Sequence, residues 1–426
     1  MTRDLDHQAV VKSGTPTYYL LLMLTAVSFF NYMDRMVLAA LLQPIKIELL
    51  LSDSQLGLLT GFAFAGLYAT LGIPLARLAD RRPRVIILSA CLALWSLMTA
   101  ATGLAQNFLQ LFAARMAVGI GEAGCVPAAH SMIGDAFPAE RRAFAISVFQ
   151  AGGIAGLSGG LVLAGMFADH WGWRIALSLV GLPGLGLAAL ILFTIPEPER
   201  QGTTEAPRSA DPPLVAMADL MRRPALRHLI LALAIGSFGP YGLAQWMPAF
   251  YVRSHHLTLT EVGLRVGLIG GLGGMIGTLS GGLLAVQLIR RDRRWELWLP
   301  ALAYSGSAPF YAAIFLAPTV WVAVAFQALA TFIAAAGGGV ALSAIQSFAE
   351  PHRRATAISM MLFMTALVGL GAGPLLVGIL SDYLTPRFGT ESLRHALFLS
   401  AAALVWSGIH FALAARTARQ DRICPR

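Results

Sequence analysis

Residues 18–42 read YYLLLMLTAVSFFNYMDRMVLAALL, a stretch long enough to cross a bilayer, which takes about 20 apolar residues. Two neighbouring charges, Asp34 and Arg35, interrupt it near its middle. Placing either charge in hydrocarbon costs at least about 2.5–3.5 kcal/mol, so such residues normally face a bundle interior or a wet cavity. The stretch therefore predicts a membrane-spanning helix that carries part of a functional site.

A second charged pair, Arg115 and Glu122, lies in the apolar stretch Leu109–Ile133. These two residues share one helix face but lie about 10 Å apart along the axis, too far for a direct ion pair. Asp34 and Arg35 are adjacent and point about 100° apart around their helix. We therefore expect pairing between the two helices, of Asp34 with Arg115 or of Arg35 with Glu122. The alternative is a static ion pair that only holds the helices together.

The composition is that of a membrane protein. Apolar residues make up 57% of the chain and charged residues 12%, against about 25% charged in an ordinary soluble domain. The polar residues 1–16 end in no cleavage signal, so we expect a cytoplasmic tail and not a signal peptide. The cysteines, Cys91, Cys125 and Cys424, are odd in number and lack metal-ligand spacing. We expect no disulfide framework, no metal and no other cofactor.

Apolar segments alternate with short links along the whole chain, and the net charge of +9 lies in these links. Nucleic acid is therefore not an expected partner. The even number of segments and the arginines in alternate links place both termini in the cytoplasm, with the chain in the cytoplasmic (inner) membrane. The predicted segments are 17–42, 56–76, 85–104, 107–133, 143–168, 173–195, 227–250, 264–289, 296–316, 319–348, 355–380 and 395–415.

The expected fold is an all-α membrane protein with twelve transmembrane helices in two pseudo-symmetric six-helix bundles. The bundles comprise residues 17–195 and 227–415. A cytoplasmic linker, 196–226, rich in proline and charge, joins them, and a cytoplasmic tail, 416–426, follows.

The two halves share a sequence pattern. Residues 138–147 read PAERRAFAIS and residues 350–359 read EPHRRATAIS. Each precedes a glycine-rich apolar segment that ends in G-x-x-x-D, at Gly165–Asp169 and at Gly378–Asp382. Such a repeat predicts a substrate site near the midplane, at the interface of the two bundles. An aromatic set in the second half is predicted to line an exit or to form an interfacial belt: Tyr241, Trp246, Phe250 and Tyr251.

Two stretches resemble the major facilitator superfamily. Residues 76–84, ARLADRRPR, resemble its G-x-L-a-D-r-x-G-r-k loop, with Ala76 and Pro83 in place of the glycines. Residues 111–123 match its l-x-x-x-R-x-x-q-G-x-g pattern except for the glutamine. The resemblance implies alternating access between the two bundles.

Within that superfamily, three stretches resemble the Spinster family of lysolipid and sphingosine-1-phosphate transporters. They are Asn31-Tyr-x-Asp34-Arg35, Ser52-Asp-Ser-x-x-Gly-Leu-Leu59 and Gly119-x-Gly121-Glu122-Ala123. This resemblance implies a proton-linked or facilitated carrier of amphiphilic lipids, and its expected partners are membrane lipids, an amphiphilic small molecule and protons. The chain is expected to act as a monomer. A proton-linked multidrug or organic-anion exporter is the alternative, because the same cavity, charged on one wall and apolar on the other, would serve it.

Proton coupling needs a buried carboxylate beside a movable positive partner. Asp34 is the expected principal proton acceptor, and Glu122 is expected to couple the proton to the substrate. The predicted substrate-binding residues are Asn31, Tyr32, Arg35, Arg115 and Glu122.

Charged cytoplasmic links supply the expected gate. Asp80 is predicted to hold the outward-facing state through an arginine of the 141–142 link or through a helix N-terminus from the second half. Arg353 and Arg354 are the matching charges of the second half. The residues predicted for this gate are Asp80, Arg81, Arg84, Arg141 and Arg142.

One pattern is typical of an enzyme, because His130-x-x-x-x-Asp135 has the spacing of a glycerolipid acyltransferase centre. So short a pattern arises easily by chance in a chain with nine histidines, and no nucleophile elbow, metalloprotease or phosphate-loop motif accompanies it. We therefore expect no enzymatic activity. A channel or receptor would need charge rings or a ligand-binding loop domain, and links this short contain neither.

Overall fold

The computed structural model describes residues 15–200, 221–348 and 354–418, and within these ranges the chain is helical without a strand. Ten helical stretches are long and apolar enough to cross a membrane, which confirms the predicted all-helical membrane fold. Two of them, Glu140–Thr194 and Ala357–Thr417, are 55 and 61 residues long. A straight helix of that length would measure about 80–90 Å, against about 30 Å of bilayer hydrocarbon. Each is therefore long enough for two crossings.

The sequence predicts twelve separate segments where the structure has ten continuous stretches, and each long stretch contains two of the predicted segments. Gly172 bends the first long stretch with φ 79° and ψ 162°, and Gly389, with φ 55°, lies in the second. Glycine adopts such angles without the steric cost that a Cβ brings. The first long stretch thus turns at a single glycine, whereas the second passes through the 3-10 turn Gly389–Glu391 and the short helix Ser392–Ala396 before it continues.

We call residues 15–200 the first half. Its helices, in chain order, are α1 (Thr15–Leu49), α2 (Asp53–Thr60), α3 (Phe62–Arg81), α4 (Arg84–Thr102), α5 (Phe108–Ala123), α6 (Cys125–Ala136) and α7 (Ala139–Thr194). The side chain of Ser52 caps α2 and that of Asn107 caps α5, each by accepting a backbone N–H three residues on. These caps fix where the two helices begin.

Two predicted segments, 56–76 and 107–133, are each split by a glycine. Gly61 separates α2 from α3, and Gly124 separates α5 from α6. A Cβ on Gly61 would lie 2.3 Å from the carbonyl oxygen of Gly371. The first break therefore lies where the backbones of the two halves approach each other closely.

We call residues 221–418 the second half. Its helices are α8 (Pro224–His255), α9 (Leu259–Glu261), α10 (Ile269–Arg291), α11 (Trp295–Leu316), α12 (Val320–Phe348), α13 (Arg354–Met364), α14 (Gly373–Phe388), α15 (Ser392–Ala396) and α16 (Phe398–Thr417). Val262–Leu268 and Thr365–Ala372 are π-helical and join α9 to α10 and α13 to α14. Such wide turns occur often at functional positions. Here both contain glycines that touch the first half, Gly263 against Leu161 and Gly371 against Phe62.

Two equivalent contacts join the halves at one end of the molecule, which we call the Asp53 end. Asp382 in α14 accepts the backbone N–H groups of Asp53 and Ser54 at 2.9 and 2.7 Å. Asp169 in α7 accepts the first two N–H groups of α9 at 3.3 and 2.7 Å. Each aspartate therefore caps the N-terminus of a helix that belongs to the other half.

The glycines of the two G-x-x-x-D sequences lie at the same contacts. A Cβ on Gly378 would lie 2.3 Å from the carbonyl oxygen of Asp53, and one on Gly165 would lie 2.2 Å from that of Leu259. A side chain at either position would push the partner helix away. The glycine thus permits the approach that brings the aspartate within reach of the helix start.

Three large apolar cores support this arrangement. One lies mostly in the first half around Trp95, and one lies in the second half around Phe411. The largest contains residues of both halves, among them Leu41 and Trp246, which are fully buried. The shared core holds the halves together on one side of the charged residues described next.

Candidate functional site

Four buried charges from two helices form the centre of the candidate site. Asp34 and Arg35 of α1 are 4% and 9% exposed, and Arg115 and Glu122 of α5 are 5% and 0% exposed. Arg115 Nη1 lies 3.1 Å from Asp34 Oδ2, and Arg35 Nε lies 2.8 Å from Glu122 Oε2. Both of the pairings that the sequence leaves open are therefore present together. The two positive and two negative charges sum to zero, which lowers the cost of burying them.

Neighbouring polar side chains complete these pairs. The Thr99 hydroxyl of α4 donates to Asp34 Oδ1, and Arg35 Nη2 donates to Asn31 Oδ1 at 3.4 Å. Thr99 is 3% exposed, so its hydrogen bond is shielded from solvent. Sequence reasoning missed Thr99, because a threonine in an apolar segment usually bonds to its own helix backbone.

Aromatic rings surround Arg35. Its guanidinium carbon lies 5.2 Å from the ring centre of Tyr32, 5.1 Å from that of Phe64 and 5.0 Å from that of Tyr68. Arg115 also lies over Phe64, at 5.1 Å. All four distances are within the range of a cation–π interaction. Tyr32 was predicted to line the site, whereas Phe64 and Tyr68 were missed, although their spacing of four places them on one face of α3.

Three polar atoms of this centre have no hydrogen-bond partner among the described residues. They are Asn31 Nδ2, Arg115 Nε and Glu122 Oε1. Asn31 is 1% exposed, so these atoms are not directed to the bulk solvent. Buried polar groups in proteins are almost always paired. The centre therefore has hydrogen-bonding capacity beyond what its own side chains use.

An apolar cavity of about 280 Å³ lies between the two halves. Met36, which follows Arg35 in α1, lines it together with three residues of α7, and the rest of the described lining comes from the second half. Its lining residues are uncharged, and its polar members are Ser158, Tyr311, Gln327 and Thr331. The four paired charges belong to the first half, whereas this cavity, which the two halves line together, has no charged residue in its described lining.

A second buried ion cluster lies at the Asp53 end. Asp53 is fully buried, and both of its carboxylate oxygens accept from Arg253 at 2.7 Å. Lys46 lies 2.5 Å from the same carboxylate, and Ser381 donates to it at 2.6 Å. Two of these partners belong to the second half. In the sequence, Asp53 is recognised only as part of a family motif, and its partners become visible only in the fold.

Comparison with known proteins identifies the family. A model of the Major Facilitator Superfamily matches residues 24–369. The chain belongs to the major facilitator superfamily. Members of this superfamily are transporters, so the expectation that the chain is not an enzyme is confirmed.

Relatives within the superfamily confirm the Spinster resemblance. The chain is 36% identical over 401 residues to an MFS-type efflux pump of Mycolicibacterium smegmatis, covering 94% of this chain and 93% of that protein. It is 28% identical over 451 residues to the sphingosine-1-phosphate transporter SPNS2 of Danio rerio, covering 98% and 87%.

Solved structures agree. A bacterial homolog of the human lysosomal transporter Spinster, described as inward-facing and unoccupied, superposes with a TM-score of 0.88 at 30% identity, over 97% of this chain and 100% of the other. The nucleoside transporter NupG superposes with a TM-score of 0.74 at 14% identity, over 93% and 98%, which shows the shared fold alone.

The superfamily loop at 76–84 ends in Arg84, which is 1% exposed. Arg84 forms ion pairs with Asp135 of α6 and with Glu197, the latter at 2.8 Å, and it donates to the Pro198 carbonyl at 2.7 Å. The Val85 N–H donates to Glu197 as well. Burial raises the pKa of Glu197, but the hydrogen bonds from Val85 and Arg84 outweigh burial and hold that pKa below its usual value. Arg84 therefore fastens the start of the linker to its own half, where the sequence predicts a gate latch.

The other predicted gate residues are described in part. Arg142 donates to the Gly134 carbonyl at 2.7 Å, and Arg141 donates to the Tyr18 hydroxyl at 3.4 Å, both within the first half. Arg81 is the last residue of α3. The side chains of Asp80 and Arg354 and the whole of Arg353 lie outside the described residues.

Three of the four residues in the aromatic set of the second half lie in the core and not in a belt or an exit lining. Trp246, Phe250 and Tyr251 are fully buried in the shared core. The Tyr251 hydroxyl donates to Gln327 at 2.8 Å. Tyr241 packs instead against the core of the first half. The sequence predicts an exit lining or an interfacial belt for this set, because hydropathy alone does not distinguish a lipid-facing from a core-facing ring.

Proposed function

We propose that this protein is a secondary active transporter that moves a lipid-like amphiphile, such as a lysophospholipid or a sphingosine-1-phosphate-like molecule, by alternating access. The observation that carries the proposal is the asymmetry of the central region. A buried centre of paired charges belongs to the first half, and an uncharged, mostly apolar cavity faces the second half. A charged headgroup suits the first wall and a hydrocarbon chain suits the second.

The cavity volume favours one hydrocarbon chain over two. At about 280 Å³ it is near the lower limit of small-molecule sites, which measure about 300–1,000 Å³. A small hydrated solute such as a sugar would gain little from this lining. We therefore assign the cavity to the tail of a single-chain substrate.

Proton coupling is assigned to the two carboxylates of the centre. Protonation of Asp34 would remove its charge and release Arg115, and protonation of Glu122 would release Arg35. We assign the role of principal proton acceptor to Asp34, because it forms no hydrogen bond with Arg35 or with the aromatic rings around Arg35. Glu122 holds Arg35 and so couples to the substrate.

We further propose twelve crossings, with residues 17–195 and 227–415 as the two bundles and both termini in the cytoplasm. The two helical stretches of double length supply the two extra crossings. With this orientation the Asp53 end faces outward and is closed, so the structure corresponds to an inward-facing state. The likeness to a Spinster homolog described as inward-facing supports this assignment.

Uptake into proteoliposomes tests the proposal. Reconstituted protein is expected to move a radiolabelled lysophospholipid and to leave a small sugar outside. Uptake of lysophospholipid should respond to a pH gradient, and Asp34→Asn should abolish that response. Arg293→Gln, which changes an exposed arginine beside Glu296, is the control and should behave as the unchanged protein.

Two results would contradict the proposal. Movement of sugars without movement of any amphiphile would exclude the assigned substrate class. An unchanged pH response in Asp34→Asn, with its loss in Glu122→Gln, would reassign the proton acceptor to Glu122.

A proton-linked exporter of drugs or organic anions is the second candidate, favoured by the 36% identity to an MFS-type efflux pump. Competition separates the two candidates. If cationic dyes displace a bound lysophospholipid only at concentrations far above their own transport range, the lipid assignment holds. If dyes are transported and lysophospholipids are not, the exporter is the correct function.

A further inference from the structure

We propose that Arg35 occupies a binding site for the ammonium group of the substrate, and that the substrate displaces it. The site consists of the rings of Tyr32, Phe64 and Tyr68, which we call the aromatic cage, together with the Glu122 carboxylate. This inference rests on the proposed function and assigns the part of the same centre that recognises the headgroup.

The first argument is the chemistry of the cage. Three aromatic rings lie at 5.0–5.2 Å from one cationic carbon. Aromatic cages of this kind recognise quaternary and methylated ammonium groups, because the ring faces attract a cation that gives up little hydration on binding. A guanidinium in the cage shows that these rings already hold a cation.

The second argument is the spare capacity of Glu122. Its Oε2 binds Arg35, whereas Oε1 has no partner among the described residues, and the side chain is 0% exposed. A carboxylate with one unused, buried oxygen can meet an incoming cation before it releases the one it holds. Exchange of Arg35 for a substrate ammonium therefore need not leave Glu122 unpaired at any stage.

The third argument is continuity with the cavity. Tyr32 of the cage and Met36 of the cavity lining are four residues apart, so they lie on one face of α1. On α8, Tyr241 is near enough to Arg35 for an electrostatic interaction, and Ala244, three residues on, lines the cavity. A headgroup in the cage would thus leave its chain at the mouth of the apolar cavity.

Charge balance then defines the headgroup. The centre is neutral as it stands, with Arg35 paired to Glu122 and Arg115 paired to Asp34. A purely cationic headgroup in the cage would leave Arg35 buried without a partner. A purely anionic headgroup that attracts Arg35 would leave Glu122 buried without a partner. Either outcome is unfavourable, because an unpaired buried charge is costly. A zwitterionic headgroup leaves neither residue unpaired. Its ammonium binds in the cage beside Glu122, and its anionic group pairs with the displaced Arg35.

Equilibrium binding to the purified protein in lipid nanodiscs tests this without relying on transport. The probes share a ten-carbon chain and differ in the headgroup: decylphosphocholine, decyltrimethylammonium, decyl sulfate and decyl maltoside. Decylphosphocholine is expected to bind at least about tenfold more tightly than the other three. Tyr68→Leu should weaken decylphosphocholine binding about tenfold, the size of a desolvated cation–π interaction, and leave decyl sulfate binding unchanged.

Tyr68→Phe is the matched control, because it keeps the ring and should restore decylphosphocholine binding. The proposal is overturned if Tyr68→Leu binds decylphosphocholine as tightly as the unchanged protein, or if it loses all four probes equally. If lysophospholipid is still transported when either result is found, the proposed function holds and only the assignment of the cage as a binding site is excluded. Failure of the unchanged protein to bind any probe with a charged headgroup would overturn both.

Discussion

The two ends of the molecule are held in different ways. At the Asp53 end, hydrogen bonds and ion pairs cross between the halves, through Arg253 and through the two capping aspartates, Asp169 and Asp382. At the other end, the described contacts of Arg84 and Arg142 stay within the first half. Among the described residues, the one polar contact between the halves outside the Asp53 end is Ser158 to the Gly267 carbonyl. The contacts at the Asp53 end thus hold the two halves together, whereas the described contacts at the other end hold parts of the first half to one another.

Most of the predictions below are measured as distances between two spin labels. Spin labels at positions 104 and 316 report separation of the halves at the Asp53 end, and labels at 144 and 290 report it at the opposite end. The side chains at these four positions are exposed, so a label disturbs no core packing.

The largest effect is expected from Arg253→Gln. This change leaves Asp53, which is fully buried, without its two-pronged partner, and breaking a buried pair costs about 3–5 kcal/mol. The distance between labels 104 and 316 should lengthen in most molecules, and the melting temperature should fall. Arg265→Gln, which removes a half-buried pair with Glu261, is the control. An unchanged distance in Arg253→Gln would show that the closed end does not depend on this cluster.

A smaller opening is expected from Gly378→Ala or Gly165→Ala. The added Cβ would approach a backbone carbonyl oxygen to 2.3 or 2.2 Å, and backbone cannot rotate aside as a side chain does. Overpacking of this kind costs about 1–3 kcal/mol. Both variants should lengthen the 104–316 distance. Gly186→Ala, where a Cβ meets nothing within 4 Å, is the matched control and should leave the distance unchanged.

Asp382→Asn and Asp169→Asn should each have a still smaller effect. An asparagine can accept one N–H but loses the charge that favours a helix N-terminus, a difference of about 0.3–1 kcal/mol. At about 1 kcal/mol the ratio of closed to open molecules changes about fivefold. The shift in Asp382→Asn is expected to be the larger of the two, because Asp382 also accepts the Ser54 hydroxyl at 2.5 Å. A shift in one variant alone would show that the two caps do different work.

Arg84→Gln should lower stability without changing the 104–316 distance. Its partners Asp135, Glu197 and Pro198 all belong to the first half, so the change unfastens the linker and leaves the interface alone. Thermal unfolding measures the first effect and the labels measure the second. A lengthened 104–316 distance in this variant would contradict the claim that Arg84 stabilises only the first half.

The smallest effect is expected from pH at the linker. The pKa of Glu197 is below its usual value in the folded protein, so the contact adds stability above the usual carboxyl pKa of about 4.3. That stability is lost as the pH falls through the lowered folded value. A spin label at position 199 should therefore gain mobility below about pH 4, whereas one at position 104 should not. Equal mobility of both labels at every pH would exclude the contact.

Much of the fold follows from the sequence, because spans, charge in links and the internal repeat are local patterns. The opposed pairs of Asp34, Arg35, Arg115 and Glu122 could be predicted, since helix geometry forbids the pairing of charges within each helix. The Thr99 hydroxyl and the Phe64 and Tyr68 rings could not, because nothing in a segment marks which side chains meet another helix. The same limit applies to Arg84. A family loop indicates a gate, but only the fold shows that Arg84 forms ion pairs with Glu197 and Asp135.

The two G-x-x-x-D sequences show how near a sequence pattern can come to a contact. The repeat at Gly165–Asp169 and Gly378–Asp382 was visible, and the structure places both at equivalent junctions of the halves. Both partner helices begin with a capping box, Ser52 with Gln55 and Thr258 with Glu261. What the pattern lacks is the pairing, since nothing in the sequence shows which aspartate meets which helix start.

The neutrality of the charged centre has an electrical consequence. In the proposed alternating-access cycle, four charges that sum to zero would carry no net charge through the membrane potential when they move as one group. The change of state of the empty, unprotonated carrier would then do no electrical work. One added proton changes this, at about 2.3 kcal/mol per elementary charge for each 100 mV. A zwitterionic substrate adds nothing further. The voltage dependence of the transport cycle would then depend only on the number of protons moved. The reason is that the two acidic and two basic residues of the centre form two ion pairs, Asp34 with Arg115 and Glu122 with Arg35.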